Sequence, residues 1–463
     1  MKHVTINLVS LFSADILRRV LGFVSVVYLA RVLGASGFGW ISLGFAVLAY
    51  GTVLSAAGLP TFGIRHIAQK GSDDIVGVII SDRLLSAFIV FSLIAVCTFL
   101  WIPAGTERWL ILIFAFSIFP QTFFLDWYFQ GKETMKIIGA ARVCSSAVYT
   151  ALAVVFVHAP EQIIWVACAA VAGDTAASLL MIRKFKKEHP EVRLFVSPSF
   201  GLLKQSIPLS VGVVIAALVM SYPPFVLGIF QSTTEVGIYS AASRLVLFLL
   251  IGDRLLSSVF LPASMRRQEE SPQKLASMIS IAAHWILIAA LPVAVGGILF
   301  AERFIVLVFG RAFIDATGVL KILVWYFFLT MLHTIFTSGL LAVHQEKAYG
   351  KIMAATAVLY AVLVALGTVF FGALGAAFGV VLSEGISLLM MWHTLRKILP
   401  LFPPLATPRI LGAACVMELF LIIGGDMNIL FLIPAGAAVY ICFLLVFKAL
   451  RLQDIKTILA KLA

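Results

Sequence analysis

Ile429–Val446 reads ILFLIPAGAAVYICFLLV, with no charged residue and no alternation of polar and apolar positions. Residues 111–120, ILIFAFSIFP, are of the same kind. Such runs decide the fold class. Hydrocarbon offers no water to backbone N–H and C=O groups, so only helices and closed barrels cross a membrane. Barrel strands alternate over segments of about 10 residues. The runs here are long and continuous, which selects helices of about 20 residues each. Of the 463 residues 62% are apolar and 12% charged, and no single buried core can absorb that much apolar sequence. The expected fold is an all-α polytopic membrane protein with about 14 transmembrane helices.

The apolar runs give spans that include 8–30, 38–62, 84–103, 140–158, 205–229, 237–262, 352–372 and 374–394. The longest basic break, residues 183–193, follows the sixth span and reads as a linker. The expected organisation is an N-terminal helical bundle over 1–183 and a cytoplasmic linker over 184–204. A C-terminal bundle over 205–397, two further spans over 398–447 and an amphipathic cytoplasmic tail over 448–463 follow. In the tail Leu452, Ile455, Leu459 and Leu462 share one helical face, as in a helix lying on the membrane surface; a frayed soluble tail is the competing reading. Val32-Leu33-Gly34 before Gly39-Trp40-Ile41-Ser42 is echoed by Val226-Leu227-Gly228 before Gly237-Ile238-Tyr239-Ser240. Repeats in the same orientation place a transport site between two halves, although apolar sequences also resemble one another by chance. Pro208, Pro223 and Pro224 suggest a kink in the seventh span.

The net charge of +12 could suggest nucleic acid, but its distribution argues for a membrane. With the N-terminus inside, the opposite side keeps only Arg31, Arg108, Arg303, Arg311 and Lys321. Arg18, Arg19, Arg244 and Arg254 fall within spans, and the other Lys and Arg, among them Arg65, Arg83 and Arg142, are cytoplasmic. Lys and Arg stay inside in short loops, so both termini are expected in the cytoplasm. Residues 1–34 continue into a full span and do not read as a cleavable signal. The five cysteines lie in apolar runs without disulfide or zinc spacing.

Ionisable groups inside spans are costly, and each is a functional candidate. In the first span Arg18 and Arg19 stand at i+3 and i+4 from Asp15, on one helical face. A local pair that eases insertion is one reading. One carboxylate cannot neutralise two guanidiniums, however, and the surplus favours a cation-lined aqueous cavity. In the eighth span Arg244 and Asp253 fall on opposite faces at 100° per residue, while Arg254 lies near Arg244. Guanidinium forks suit bidentate phosphate binding, so a phosphorylated anion is the ligand these spans imply. Asp174, His284, His333 and Glu384 are candidates for a coupling ion or proton, or for interhelical hydrogen bonds. Trp40, Trp127, Trp165, Trp285 and Trp325 can stack on sugars, anchor at the interface or pack in the core. No phosphate-binding glycine loop, zinc-spaced His/Cys set or long extramembrane domain points to an enzyme.

Four motifs carry a resemblance. They are Ala30-Arg31-Val32-Leu33-Gly34 with Gly37-Phe38-Gly39, and Gly58-Leu59 through Arg65-His66-Ile67-Ala68. The others are Asp126-Trp127-Tyr128-Phe129-Gln130-Gly131 with Met135-Lys136, and Gly237-Ile238-Tyr239-Ser240-Ala241-Ala242-Ser243-Arg244-Leu245. In order and spacing the chain resembles the Wzx-type oligosaccharide flippases of the multidrug/oligosaccharidyl-lipid/polysaccharide exporter superfamily. Arg19-Val20-Leu21-Gly22-Phe23 and Arg244 are also similar to arginine motifs of lipid II flippases, which implies a role in diphosphate binding. The match stops at those two arginines and does not extend to lipid II as substrate.

The resemblance implies two pseudo-symmetric six-helix bundles around a central cavity, plus two C-terminal helices, in the cytoplasmic membrane. It implies transfer of undecaprenyl-diphosphate-linked oligosaccharide, as in O-antigen or lipopolysaccharide synthesis, with membrane lipids, a polysaccharide polymerase and a chain-length regulator as partners. Arg18, Arg19, Arg31, Arg65, Arg244 and Arg254 are the candidate substrate-binding residues. Asp15, Asp126, Asp174, Asp253 and Glu384 are candidates for coupling or gating. No cofactor or metal is expected; H+, Na+ or the membrane potential would supply energy. The alternatives are a multidrug cation antiporter, which would want carboxylates rather than arginines in its cavity, and a membrane-embedded glycan polymerase or ligase.

Overall fold

The computed structural model describes the backbone of residues 2–71, 73–401, 407–425 and 427–450. Side chains are described from residue 15, apart from 70, 200, 207, 209–218, 407 and 429. The chain is all-helical, with no strand among the described residues. In order come α1 (Lys2–Ala56), α2 (Leu59–Lys70), α3 (Ile75–Trp101), α4 (Thr106–Phe116), α5 (Ile118–Thr122), α6 (Asp126–Gly131) and α7 (Met135–Phe156). Then follow α8 (Ile164–Glu188), α9 (Phe200–Phe230), α10 (Thr233–Leu249), α11 (Ile251–Glu270), α12 (Pro272–Leu299) and α13 (Ala301–Phe309). The last are α14 (Ala316–Ala342), α15 (Glu346–Leu395), α16 (Thr407–Ile423) and α17 (Ile429–Val446). Most of the amphipathic tail, residues 451–463, lies outside the described residues.

Among the described residues 9 helical segments are long and apolar enough to cross a bilayer. Three of these, 42, 38 and 50 residues long, exceed one crossing of about 20 residues. Two of the three are broken at glycine. Gly34 (φ 69°, ψ −176°) separates the first two expected spans within α1, and Gly372 (φ 58°, ψ −137°) separates 352–372 from 374–394 within α15. A Cβ is strained at both conformations, by about 1–3 kcal/mol each. Gly34→Ala and Gly372→Ala are therefore expected to lower the thermal unfolding midpoint of the detergent-solubilised protein. An unchanged midpoint would show that these breaks do not depend on glycine.

Trp101 is 78% exposed, and Leu100, Phe370, Phe371 and Leu430 are nearly as open. Large apolar side chains exposed to this degree suit a hydrocarbon surround. The stretch after residue 300 forms α13, which buries Ala301, Ile305 and Phe309 and turns Leu307 outward.

The chain divides into two compact units, Met1–Ser240 and Ala241–Ala463. In the first, one cluster gathers Leu59, Ile79, Ile80, Trp127, Tyr128, Phe129, Met181 and Phe185, and another Leu29, Ile41, Leu48, Leu110, Phe114 and Val166. The α9 helix, read from sequence as the start of the C-terminal bundle, packs on α1 and α2 in this unit. Tyr50 meets Phe225 at 4.7 Å, and Gly228 leaves room for Leu43. The α9 helix continues through Pro208, Pro223 and Pro224. In the second unit Ile288, Leu291 and Phe300 of the α12 region pack with Ile410, Met417 and Leu421 of α16 and Leu432, Tyr440 and Leu444 of α17.

Candidate functional site

The polar interior of the first unit starts from α1. Asp15 accepts from Arg18 Nη2 at 3.0 Å and from Arg19 Nε at 2.7 Å, through separate oxygens. Both guanidiniums share one carboxylate, as their i+3 and i+4 spacing dictates. Arg18 also lines a cavity of about 320 Å³ with Phe124, Asp126, Arg142, Ser145 and Ser146. Arg142, on α7, lies 3.6 Å from Asp126 Oδ2. Its position at the start of a span made it look like an orientation charge; in the fold it faces the same space as Arg18. Three guanidiniums thus stand beside two carboxylates, Asp15 and Asp126.

A second cavity, of about 410 Å³, shares Ser145 and Ser146 with the first in its lining. Its other walls include Phe45 and Thr52 of α1, Gln121 of α5, Tyr149 of α7 and Asp174 of α8. Thr52 Oγ1 donates to Gln121 Oε1 at 2.7 Å, and Gln121 Nε2 donates to Asp174 Oδ2 at 2.7 Å. Ser145 Oγ donates to Asp174 Oδ1 at 3.3 Å. Asp174 therefore anchors a chain of hydrogen bonds across three further helices. Gln121 and Thr52 carried no signal in the sequence, because uncharged polar residues are common within spans.

Local backbone breaks place Gln121. Between α5 and α6 the chain leaves α-helical geometry, and Pro120 O and Gln121 O accept turn bonds from Phe123 N at 3.1 Å and Phe124 N at 3.2 Å in place of helical ones. Arg83 adds side-chain donors to this segment. It is 5% exposed and donates to Gln121 O at 2.7 Å and Phe124 O at 3.2 Å. Ser178 Oγ donates to Pro120 O at 2.6 Å. Arg83 was read as a loop charge, and the fold buries it instead. Its neighbour Asp82 is fully buried and accepts from Ser199 N at 2.6 Å, tying the linker after α8 to α3.

The other candidates are dispersed. Arg31 and Arg65 are exposed on α1 and α2, outside both cavity linings. In the second unit Arg244 and Arg254 are exposed on α10 and α11. The helix is interrupted at Leu250 between them, so the 100° spacing counted across it does not fix their angle. Asp253 Oδ1 accepts from Thr334 Oγ1 at 2.5 Å, and His333 Nδ1 lies 2.5 Å from Glu384 Oε1. His284 Nε2 lies 3.3 Å from Ala449 O. Among the described residues no three His, Cys, Asp or Glu side chains gather as metal ligands. Trp127 is 1% exposed against Gly63 in the core, which excludes it as a sugar platform.

The fold is similar to those of solved structures. Lipid II flippase MurJ, in an inward closed conformation, matches with a TM-score of 0.75 over 96% of this chain and 99% of that one, at 14% identity. An inward-facing multidrug resistance MATE family transporter of the MOP superfamily gives 0.64 over 82% and 94%, at 16% identity. At such identities the likeness is one of fold. In sequence, the probable low-salt glycan biosynthesis flippase Agl15 of Haloferax volcanii is 27% identical over 173 residues. That alignment spans 37% of this chain and 37% of the relative's length. The profile described as "Polysaccharide biosynthesis protein" matches residues 4–268, more than half of the chain, and the protein accordingly belongs to that family.

Proposed function

We infer that the protein is a flippase that carries undecaprenyl-diphosphate-linked oligosaccharide from the inner to the outer leaflet of the cytoplasmic membrane by alternating access. The observation that carries this reading is the excess of guanidinium over carboxylate at Arg18, Arg19 and Arg142, beside a polar cavity inside an otherwise apolar bundle. A lipid diphosphate needs such donors for its anionic head, while its prenyl chain stays in hydrocarbon. Family membership supports it, as do the glycan and lipid flippases among the relatives. In this reading both termini are cytoplasmic, and a polymerase and a chain-length regulator receive the product. Arg244, Arg254, Arg31 and Arg65 contact the diphosphate in other conformations, while Asp174, Asp253 and Glu384 take part in coupling. An inside-negative potential would assist a head of charge about −2 by roughly 4–5 kcal/mol at about 100 mV.

Transbilayer movement of fluorescent undecaprenyl-diphosphate oligosaccharide in proteoliposomes tests this. Arg19→Ala and Arg244→Ala are each expected to slow movement by about 10–100-fold, the worth of a charge-assisted hydrogen bond. An imposed inside-negative potential is expected to accelerate it. No movement of any glycan lipid, together with export of an organic cation that neither substitution touches, would overturn the reading in favour of a drug antiporter.

A further inference from the structure

We propose that two cavities of the first unit, which share Ser145 and Ser146 in their walls, form one bipartite site for a glycosyl diphosphate, with Arg18 and Arg142 taking the diphosphate and Gln121, Asp174 and Thr52 taking the first sugar. It deepens the flippase reading and rests on it for the identity of the lipid, but not for the chemistry of the site. The two linings differ in their polar groups. The smaller holds two guanidiniums and Asp126, and the larger holds an amide, a carboxylate, hydroxyls and two aromatic rings. They share Ser145 and Ser146, one helical turn from Arg142 on α7. A ligand crossing that junction passes from an anion-binding wall to a hydroxyl-binding wall within a few bonds. The anomeric carbon of a sugar diphosphate spans the same chemical step.

The larger cavity is pre-organised for hydroxyls. Gln121 uses one N–H on Asp174 and one lone pair on Thr52, so its amide cannot flip and still offers a second N–H and a second lone pair. Asp174 accepts from Gln121 and Ser145 and keeps further lone pairs on both oxygens. A carboxylate beside a fixed amide matches the donor and acceptor pattern of vicinal sugar hydroxyls. Phe45 and Tyr149 stand edge to face, with ring centroids 6.0 Å apart, and supply apolar surface for a sugar's C–H face. Arg142 carries a half-exposed side chain and holds Asp126 only at 3.6 Å, so its fork can swing to a phosphate at little cost to the fold.

The test is equilibrium binding to the full chain in nanodiscs. The probes are bare undecaprenyl diphosphate, the same lipid bearing one N-acetylhexosamine, and UDP–N-acetylglucosamine. Wild type is expected to bind the sugar-bearing lipid about tenfold or more tighter than the bare lipid, with Arg142→Gln weakening both lipids about tenfold. Gln121→Leu and Thr52→Val are expected to weaken only the sugar-bearing lipid, removing its advantage. Thr52→Val is the isosteric variant that guards against misfolding of the other. Loss of affinity for both lipids in Thr52→Val, or no effect of Arg142→Gln on either, overturns the proposal. UDP–N-acetylglucosamine binding as tightly as the lipid keeps the site but makes its ligand a nucleotide sugar. The expected binding pattern without transbilayer movement would leave the site standing and sink the flippase reading instead.

Discussion

Alanine at Gly39 or Gly237 is expected to cost about 3 kcal/mol or more, at or above the upper end for overpacking a core. The two glycines face each other where α1 crosses α10. A Cβ on Gly39 would overlap the carbonyl oxygen of Thr233, and one on Gly237 would overlap that of Ala35. The same two atoms would also reach Gly237 N at 3.0 Å and Gly39 N at 3.1 Å. The contact is reciprocal, and both partners are backbone, which cannot rotate away as a side chain can. Ala35 with Gly39 and Thr233 with Gly237 are small residues four apart, the arrangement that lets membrane helices approach closely. Ser36 Oγ and Thr233 Oγ1, 3.2 Å apart, add a hydrogen bond at the crossing. A helix-propensity gain of about 1 kcal/mol for Ala over Gly would not offset the clash. Gly296→Ala, with nothing within 4 Å of the added Cβ, is the matched control and should be neutral or mildly stabilising. Thermal midpoints followed by size-exclusion chromatography decide the matter; a Gly39→Ala midpoint equal to that of Gly296→Ala would contradict the crossing.

Arg83→Leu is expected to destabilise the first unit by about 1–3 kcal/mol, the range for leaving a buried acceptor unsatisfied. Leucine fills much of the volume but removes the guanidinium donors to Gln121 O and Phe124 O, leaving Gln121 O with its turn bond from Phe124 N at 3.2 Å. In hydrocarbon no water replaces the lost donors. Arg83→Lys should fall between the two, because a single ammonium cannot serve two carbonyls as a planar fork does. Since Gln121 belongs to the segment that Arg83 holds, binding of a sugar-bearing lipid should weaken in the lysine variant even where folded protein is recovered. The lysine variant matching wild type in both midpoint and binding would show that Arg83 is not needed to hold this segment.

How legible the site was depended on whether its residues announce themselves by charge within a span. Asp15, Arg18 and Arg19 did, and their shared pairing followed from helical spacing alone. Asp174 did as well, although its partners did not. The burial of Arg83 and the cavity position of Arg142 were not legible, because a basic residue at the edge of an apolar run looks like an orientation charge whether it faces water, a cavity or a backbone carbonyl. The helix break at Leu250, between Arg244 and Arg254, was likewise not marked by a residue at that position.

The sequence by itself determined that this chain is helical and built for hydrocarbon. Continuous apolar runs admit no other way to satisfy their backbone, and breaks at Gly34 and Gly372 fall where the runs change over. It also determined the family, through ordered motifs. Tertiary structure alone decided that Arg142 joins Arg18, that Gln121 links Thr52 to Asp174, and that Arg83 turns inward. Each of those facts depends on contacts between residues distant in the chain, and one-dimensional periodicity fixes the face of a helix without fixing what that face meets.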